Sequence, residues 1–149
     1  MRIGIYVNKN KAFVKDIIDI ISNNFSSPDH SIFFINELEY LKDNFNIYNE
    51  NDDNSYDFIF TIGGDGTILS AIRSEYIHQK PILGIHAGNL GFLAESDINI
   101  CKEVFDLIKE SKYKIEKRYL FDVQVHDNIK VDNYICANDV VLSRGTSAR

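Results

Sequence analysis

Cysteine, basic charge and long apolar runs are all scarce in this chain of 149 residues. The cysteines, Cys101 and Cys136, are far apart and in no Cys-x-x-Cys or Cys/His spacing, which excludes the signatures of a zinc site or a disulfide framework and fits a reducing compartment. His30, His78, His86 and His126 share no metal-ligand spacing either, so no protein metal site is expected. Lys and Arg number 16 against 22 Asp and Glu, a net charge of −6. That balance argues against nucleic acid or an anionic membrane as the main partner, because both reward clustered cations. The Lys-containing stretch from Lys109 to Arg118 is interrupted by Glu110 and Glu116 and reads as a solvated helix end and strand start. The apolar run at the N-terminus is too short for a signal-peptide core, and no segment approaches membrane-spanning length. A cytoplasmic location is the expectation.

The length suits an ordinary domain with a real core, and 44% hydrophobic content is normal for a globular protein. Arg2 to Val7 reads as a buried first strand, and Asn10 to Asn23 carries Phe13, Val14, Ile17, Ile18, Ile20 and Ile21 at helical spacing. Ser31 to Ile35 reads as a second strand. The acidic stretch Glu37 to Asn54 reads as a loop with a helical turn near Leu38 and Leu41. Asp57 to Ile62 is a third strand, Gly66 to Tyr76 a helix, Pro81 to Ile85 a fourth strand and Asn99 to Glu110 a further helix. Short apolar strands alternating with helices predict an α/β fold, a mostly parallel sheet with helices on both faces.

From Lys112 the pattern changes. Lys112 to His126 and Val131 to Ser143 read as two long strands joined by a turn at Asp127-Asn128, an antiparallel hairpin in which the Tyr and Phe residues from Tyr113 to Phe121 serve as core. A hairpin alone is marginal in water, and Val140, Val141 and Leu142 carry apolar character to the end of the chain. Residues 112–149 are therefore expected to begin a β-rich second domain cut short, after an α/β domain over 1–111.

Gly63-Gly64-Asp65-Gly66-Thr67 lies between a strand and a helix. Glycines there permit φ > 0 and close approach of a ligand to the backbone, and the following helix aims free N–H groups and its positive dipole end at the same point. Phosphate is the usual guest of such a turn. Asp65 would repel it unless the carboxylate accepts a proton or works through Mg²⁺. The bland alternative is a helix-capping or turn residue. A Walker A loop is excluded, since no Lys follows the glycines. A second Gly-rich loop, 84 to 91, follows the fourth strand, and both loops are expected at the carboxyl ends of the strands, where such sheets bind ligands. Leu90, Phe92 and Leu93 are expected to pack under it.

Four stretches together give the chain its resemblance to the NAD kinases: Ile3 to Asn8, the turn at 63 to 67, Pro81 to Glu95 (PILGIHAGNLGFLAE), and Asn138 to Gly145 (NDVVLSRG). The resemblance implies a Rossmann-like, phosphofructokinase-like sheet followed by an all-β domain that completes a dinucleotide site. It implies phosphorylation of the adenosine ribose 2′-hydroxyl of NAD by ATP, with Mg²⁺ or another divalent cation, or by polyphosphate. By position Asp65 matches the catalytic aspartate and proton acceptor. Gly63, Gly64, Gly66 and Thr67 match the phosphate and dinucleotide pocket, Asn138 and Asp139 match the Asn-Glu pair that holds the dinucleotide, and Arg149 falls where a polar or basic side chain contacts it. The family also implies a homo-oligomer at full length. Four positions depart from the pattern: Asp139 is a methylene shorter than Glu, His86 stands for Asn, Asn89 for Arg, and Ser70 for a basic residue. With most of the β domain absent, the 149 residues alone are expected to be inactive. A diacylglycerol-type lipid kinase or a sugar kinase shares the Gly-Gly-Asp-Gly turn, and a non-catalytic nucleotide-binding or oligomerisation module is the alternative from another class.

Overall fold

Parallel strands pair on both sides of β1 (Arg2–Val7): Ile3 sits opposite Ile32 of β2 (Ser31–Phe34) and opposite Phe58 of β4 (Phe58–Gly63). The computed structural model describes residues 1–8, 10, 13–35, 46–47, 56–74, 77, 80–87, 91–94, 96–127 and 129–143. They fall into two compact units, 1–115 and 116–149.

The first unit is a six-stranded sheet in the order β3-β2-β1-β4-β5-β6, with every pairing parallel. β5 (Ile82–His86) lies beside β4, and two-residue edge strands, β3 (Asn46–Ile47) and β6 (Ser96–Asp97), close the two sides. All six residues of β4 are buried, as expected for a central strand covered on both faces. Helix α1 (Val14–Asn24) buries Val14, Ile17, Ile18 and Ile21, an i, i+3, i+4, i+7 stripe worth about 1.5–3 kcal/mol for each large side chain. Helix α3 (Cys101–Lys109) buries Cys101, Phe105 and Ile108 beside it. These residues join Ile3, Ile5, Val7, Phe58, Phe60 and Ile62 in the main core, where the Phe60 and Phe105 rings stack with centroids 5.3 Å apart. The other sheet face holds a smaller cluster of Tyr56, Ile59, Ala71 and Ile77 under helix α2 (Asp65–Ile72).

Several boundaries differ from the sequence expectation. The first helix begins at Val14 rather than Asn10, because Phe13 takes a left-handed backbone at φ 63° that no helix can continue. The second ends at Ile72; Tyr76, like Leu38 and Leu41, lies outside the described residues. β3 falls inside the stretch read as loop, and β6 had no apolar pattern to announce it.

The second unit is an antiparallel pair, β7 (Phe121–His126) and β8 (Val131–Cys136). Both are shorter than expected, since residues 112–120 and 137–143 have no ladder partner among the described residues. At the turn the Asp127 carboxylate accepts from the Ile129 and Lys130 N–H groups at 2.6 and 3.3 Å; Asn128 lies outside the described residues. One hairpin face gathers Phe121, Val123, Val125, Tyr134 and Cys136. The expected aromatic hairpin core is not formed. Tyr113 belongs to the first unit, edge-on to Phe58 at 5.3 Å, and Tyr119 is 92% exposed.

Candidate active site

The strand order reverses between β1 and β4, the point at which open parallel sheets leave a crevice beyond their carboxyl ends. β4 ends there in Gly63, and the chain turns directly into α2. Gly64 is the N-cap, with extended φ −120° and ψ −170°, and its N–H donates to Thr67 Oγ1 at 3.3 Å, while the Thr67 N–H returns to the Gly64 carbonyl at 2.8 Å. None of Gly63, Gly64 and Gly66 adopts a left-handed backbone, and of the three only Gly63 is held to glycine by lack of space. A Cβ on Gly63 would lie 2.7 Å from Thr67 Cβ, so a side chain there would displace Thr67. Gly64 and Gly66 face open space, leaving the main chain approachable on that side.

Asp65 is the first residue of α2 and does not cap its own helix. Its carboxylate crosses to the segment after β5: Oδ2 accepts from the Phe92 N–H at 2.8 Å, and Oδ1 from the Leu93 and Ala94 N–H groups at 3.0 and 3.3 Å. The Phe92 N–H, then that of Leu93, holds the Asp65 carboxyl below the ordinary carboxylate range; partial desolvation opposes them and Ala94 adds to them. The two segments meet because β4 and β5 are neighbours, with Gly63 opposite His86 and the Ala87 N–H donating to the Gly63 carbonyl at 2.9 Å. Beneath the loop, a Cβ on Gly84 would stand 2.6 Å from Ile68 Cδ1 and 2.9 Å from Ala94 Cα, so α2 and the loop press on the same strand.

Gly63, Gly64, Asp65, Gly66 and Thr67 are thus brought together at the crevice, with both Gly-rich segments on one rim. Asn138 and Asp139 follow β8 in the second unit; both are exposed, and the Asp139 carbonyl accepts from Cys136 Sγ at 3.1 Å. Arg149, Asn89 and Leu90 lie outside the described residues. Phe92 does not pack under the loop: its ring is 99% exposed while its N–H is committed to Asp65. Sequence reasoning missed the three amides that hold Asp65. The one trace of them was a glycine, Gly91, in the facing loop.

The model of the ATP-NAD kinase N-terminal domain matches residues 6–113. The chain belongs to the ATP-NAD kinase family. The NAD kinase of Clostridium kluyveri is 37% identical over 147 residues, 99% of this chain and 50% of that protein. That of Sulfurimonas denitrificans is 42% identical over 91 residues, 61% of this chain and 32% of that protein. The chain spans about half the length of the curated relatives it matches at full coverage. A crystal structure of yeast NADH kinase complexed with NADH superposes with a TM-score of 0.73 at 21% identity, covering 93% of this chain and 44% of that one. This likeness extends the family assignment to the fold. Among the described residues no helix is long and apolar enough to cross a membrane.

Proposed function

We propose that this chain supplies the phosphoryl-transfer half of an NAD kinase that converts NAD to NADP by phosphorylating the adenosine ribose 2′-hydroxyl. One observation carries the reading: Asp65 stands at the head of α2, at the strand-order reversal, ionised and fixed at three points beside glycines that leave the backbone open. An alcohol is a weak nucleophile, and phosphoryl transfer depends chiefly on positioning and on stabilising charge spread over the transferred oxygens. Asp65 orients the hydroxyl and takes its proton as the oxygen–phosphorus bond forms. The α2 N-terminus and the exposed glycine backbone receive the phosphates, with Gly63, Gly64, Gly66 and Thr67 shaping that surface.

ATP is the donor we propose, with polyphosphate as a second candidate. A divalent cation is proposed to enter with the donor as MgATP, offsetting the repulsion between Asp65 and the phosphates. Residues 1–111 act as the nucleotide-binding domain and 112–149 open the β-rich domain, in which Asn138, Asp139 and Arg149 contact the dinucleotide. The enzyme works in the cytoplasm as a homo-oligomer.

The test is NADP formation from NAD, ATP and Mg²⁺, by the 149-residue chain and by the protein at the length of its relatives. The longer protein should turn over and the 149 residues alone should not. Asp65→Asn should lower kcat at least about a hundredfold with folding intact. Near-wild-type NADP formation by that variant would remove Asp65 from the chemistry. Transfer of phosphate to a lipid or sugar hydroxyl, with NAD left untouched, would replace the reading.

A further inference from the structure

We propose that residues 91–94 are the positioning element for Asp65: the Phe92, Leu93 and Ala94 amides seat the carboxylate, Gly91 keeps that seat clear of a side chain, and the acceptor site left open on Oδ2 receives the substrate hydroxyl. The inference rests on the kinase reading for its last clause only. The seat itself is a matter of geometry.

An ionised carboxylate offers about four acceptor sites, two on each oxygen. Leu93 and Ala94 fill both sites on Oδ1, and Phe92 fills one on Oδ2. One remains. A carboxylate held at three points from one side cannot rotate to present Oδ1, so the reacting atom is specified. A Cβ on Gly91 would lie 2.5 Å from Asp65 Cγ and 2.7 Å from Oδ2, inside the carboxylate itself. The loop is in turn held down on Gly84, where the Leu93 carbonyl and Ala94 Cα leave no room for a methyl group. Strand, loop and helix head therefore form a closed set of contacts around one side chain.

In the transfer step the ribose oxygen attacks the terminal phosphorus and a new oxygen–phosphorus bond forms. The bond to the bridging oxygen of the nucleoside diphosphate breaks, its electron pair leaving with that diphosphate. The hydroxyl proton passes to Asp65 Oδ2 and from there to water. Because the seat favours the ionised carboxylate, the proton moves late, once bond formation has acidified the hydroxyl. Among the described residues, β4, α2 and residues 91–94 hold no other ionisable side chain; His86 at the end of β5 and Tyr6 on β1 are the titratable groups their strands bring to this end of the sheet.

Two measurements test the proposal. In the 149-residue chain, the Asp65 carboxyl carbon and the Phe92, Leu93 and Ala94 amide protons, followed by NMR against pH, should titrate together with a midpoint below 3.8. Phe92→Ala, which keeps the N–H, should leave that midpoint in place. Phe92→Pro, which deletes the N–H, and Gly91→Ala should both move it up. In the protein at the length of its relatives, Gly91→Ala should lower kcat about 10–100-fold, with KM for ATP within about threefold, and shift the acidic limb of the rate profile upward. One midpoint shared by all four forms would overturn the seat whether or not any enzyme is active. An unchanged kcat and acidic limb in Gly91→Ala would overturn the positioning role. Failure of the wild-type protein to make NADP, with the shared titration present, would sink the kinase reading and the assignment of the open Oδ2 site.

Discussion

The Tyr6 hydroxyl on β1 and the Ser70 hydroxyl on α2 lie 3.1 Å apart, a side-chain hydrogen bond that ties the helix to the far strand across the reversal point. Ser70 lies five residues past Asp65 on α2. Tyr6→Phe removes the bond and keeps the ring, which packs against the smaller cluster beside Ile59 and Ala71. Equilibrium urea unfolding should show a loss of about 0.5–1.5 kcal/mol, toward the lower end because Ser70 is exposed. A loss beyond that range would mean Tyr6 is doing more than pairing with Ser70.

Gly84 is a packing position. A methyl group there meets the tip of Ile68, which can swing aside, and the backbone of residues 93 and 94, which cannot. Gly84→Ala should cost about 1–3 kcal/mol in thermal unfolding and should disturb the Leu93 and Ala94 amide signals before those of α1. Undisturbed amide signals with full stability would show that the loop yields.

The Asp65 carboxyl titrates below its ordinary value in the folded chain, led by the Phe92 amide. A depressed folded value means a contribution to stability that is complete above the unfolded value of 3.8 and is lost as pH falls through the folded one. The difference in melting temperature between the wild-type chain and Asp65→Asn should thus be constant at neutral pH and shrink below 3.8. A difference that persists at the acid end would trace the loss to amide geometry rather than charge.

Cys101 is fully buried at the start of α3, and burial pushes its thiol up, with the charge of Asp97 adding to this and the Ser96 hydroxyl opposing it. The raised value makes its stabilising contribution present below 9.0 and lost as pH rises through the folded value. Cys136, half-buried on the hairpin, should react with an aromatic disulfide reagent first. Cys101 should follow only at the rate of local opening, measured in a Cys136→Ser chain. Equal rates for the two thiols would contradict this.

The central strands were legible because burial on both faces demands unbroken apolar residues: Arg2–Val7 was read at its observed bounds and β4 within a residue of them. The edges were not. β6 is two residues whose only claim to be a strand is pairing with Ile85 and His86, and backbone pairing leaves no mark on composition. The same blindness over-read residues 112–120, where alternating apolar residues suggest a strand but no neighbour exists to bond with among the described residues. At the site, Asp65 was legible as an anomaly, a carboxylate placed where phosphate belongs. Its partners are amides, which every residue carries, so nothing but Gly91 could hint at them. Phe92 was misjudged for the same reason, its side chain taken as the useful part when its backbone is.

The two-sided pairing of β1 also sets an order of assembly. During synthesis the partner of Ile3 on one flank, Ile32, follows it by a short stretch of chain, but its partner on the other, Phe58, comes only after the whole acidic stretch has been made. Until then a nascent chain carries β1 with one bare hydrogen-bonding edge. Any strand that can pair in parallel, including one from a second nascent copy, competes for that edge, and the arrival of Phe58–Gly63 both ends the competition and builds the platform from which Asp65 projects.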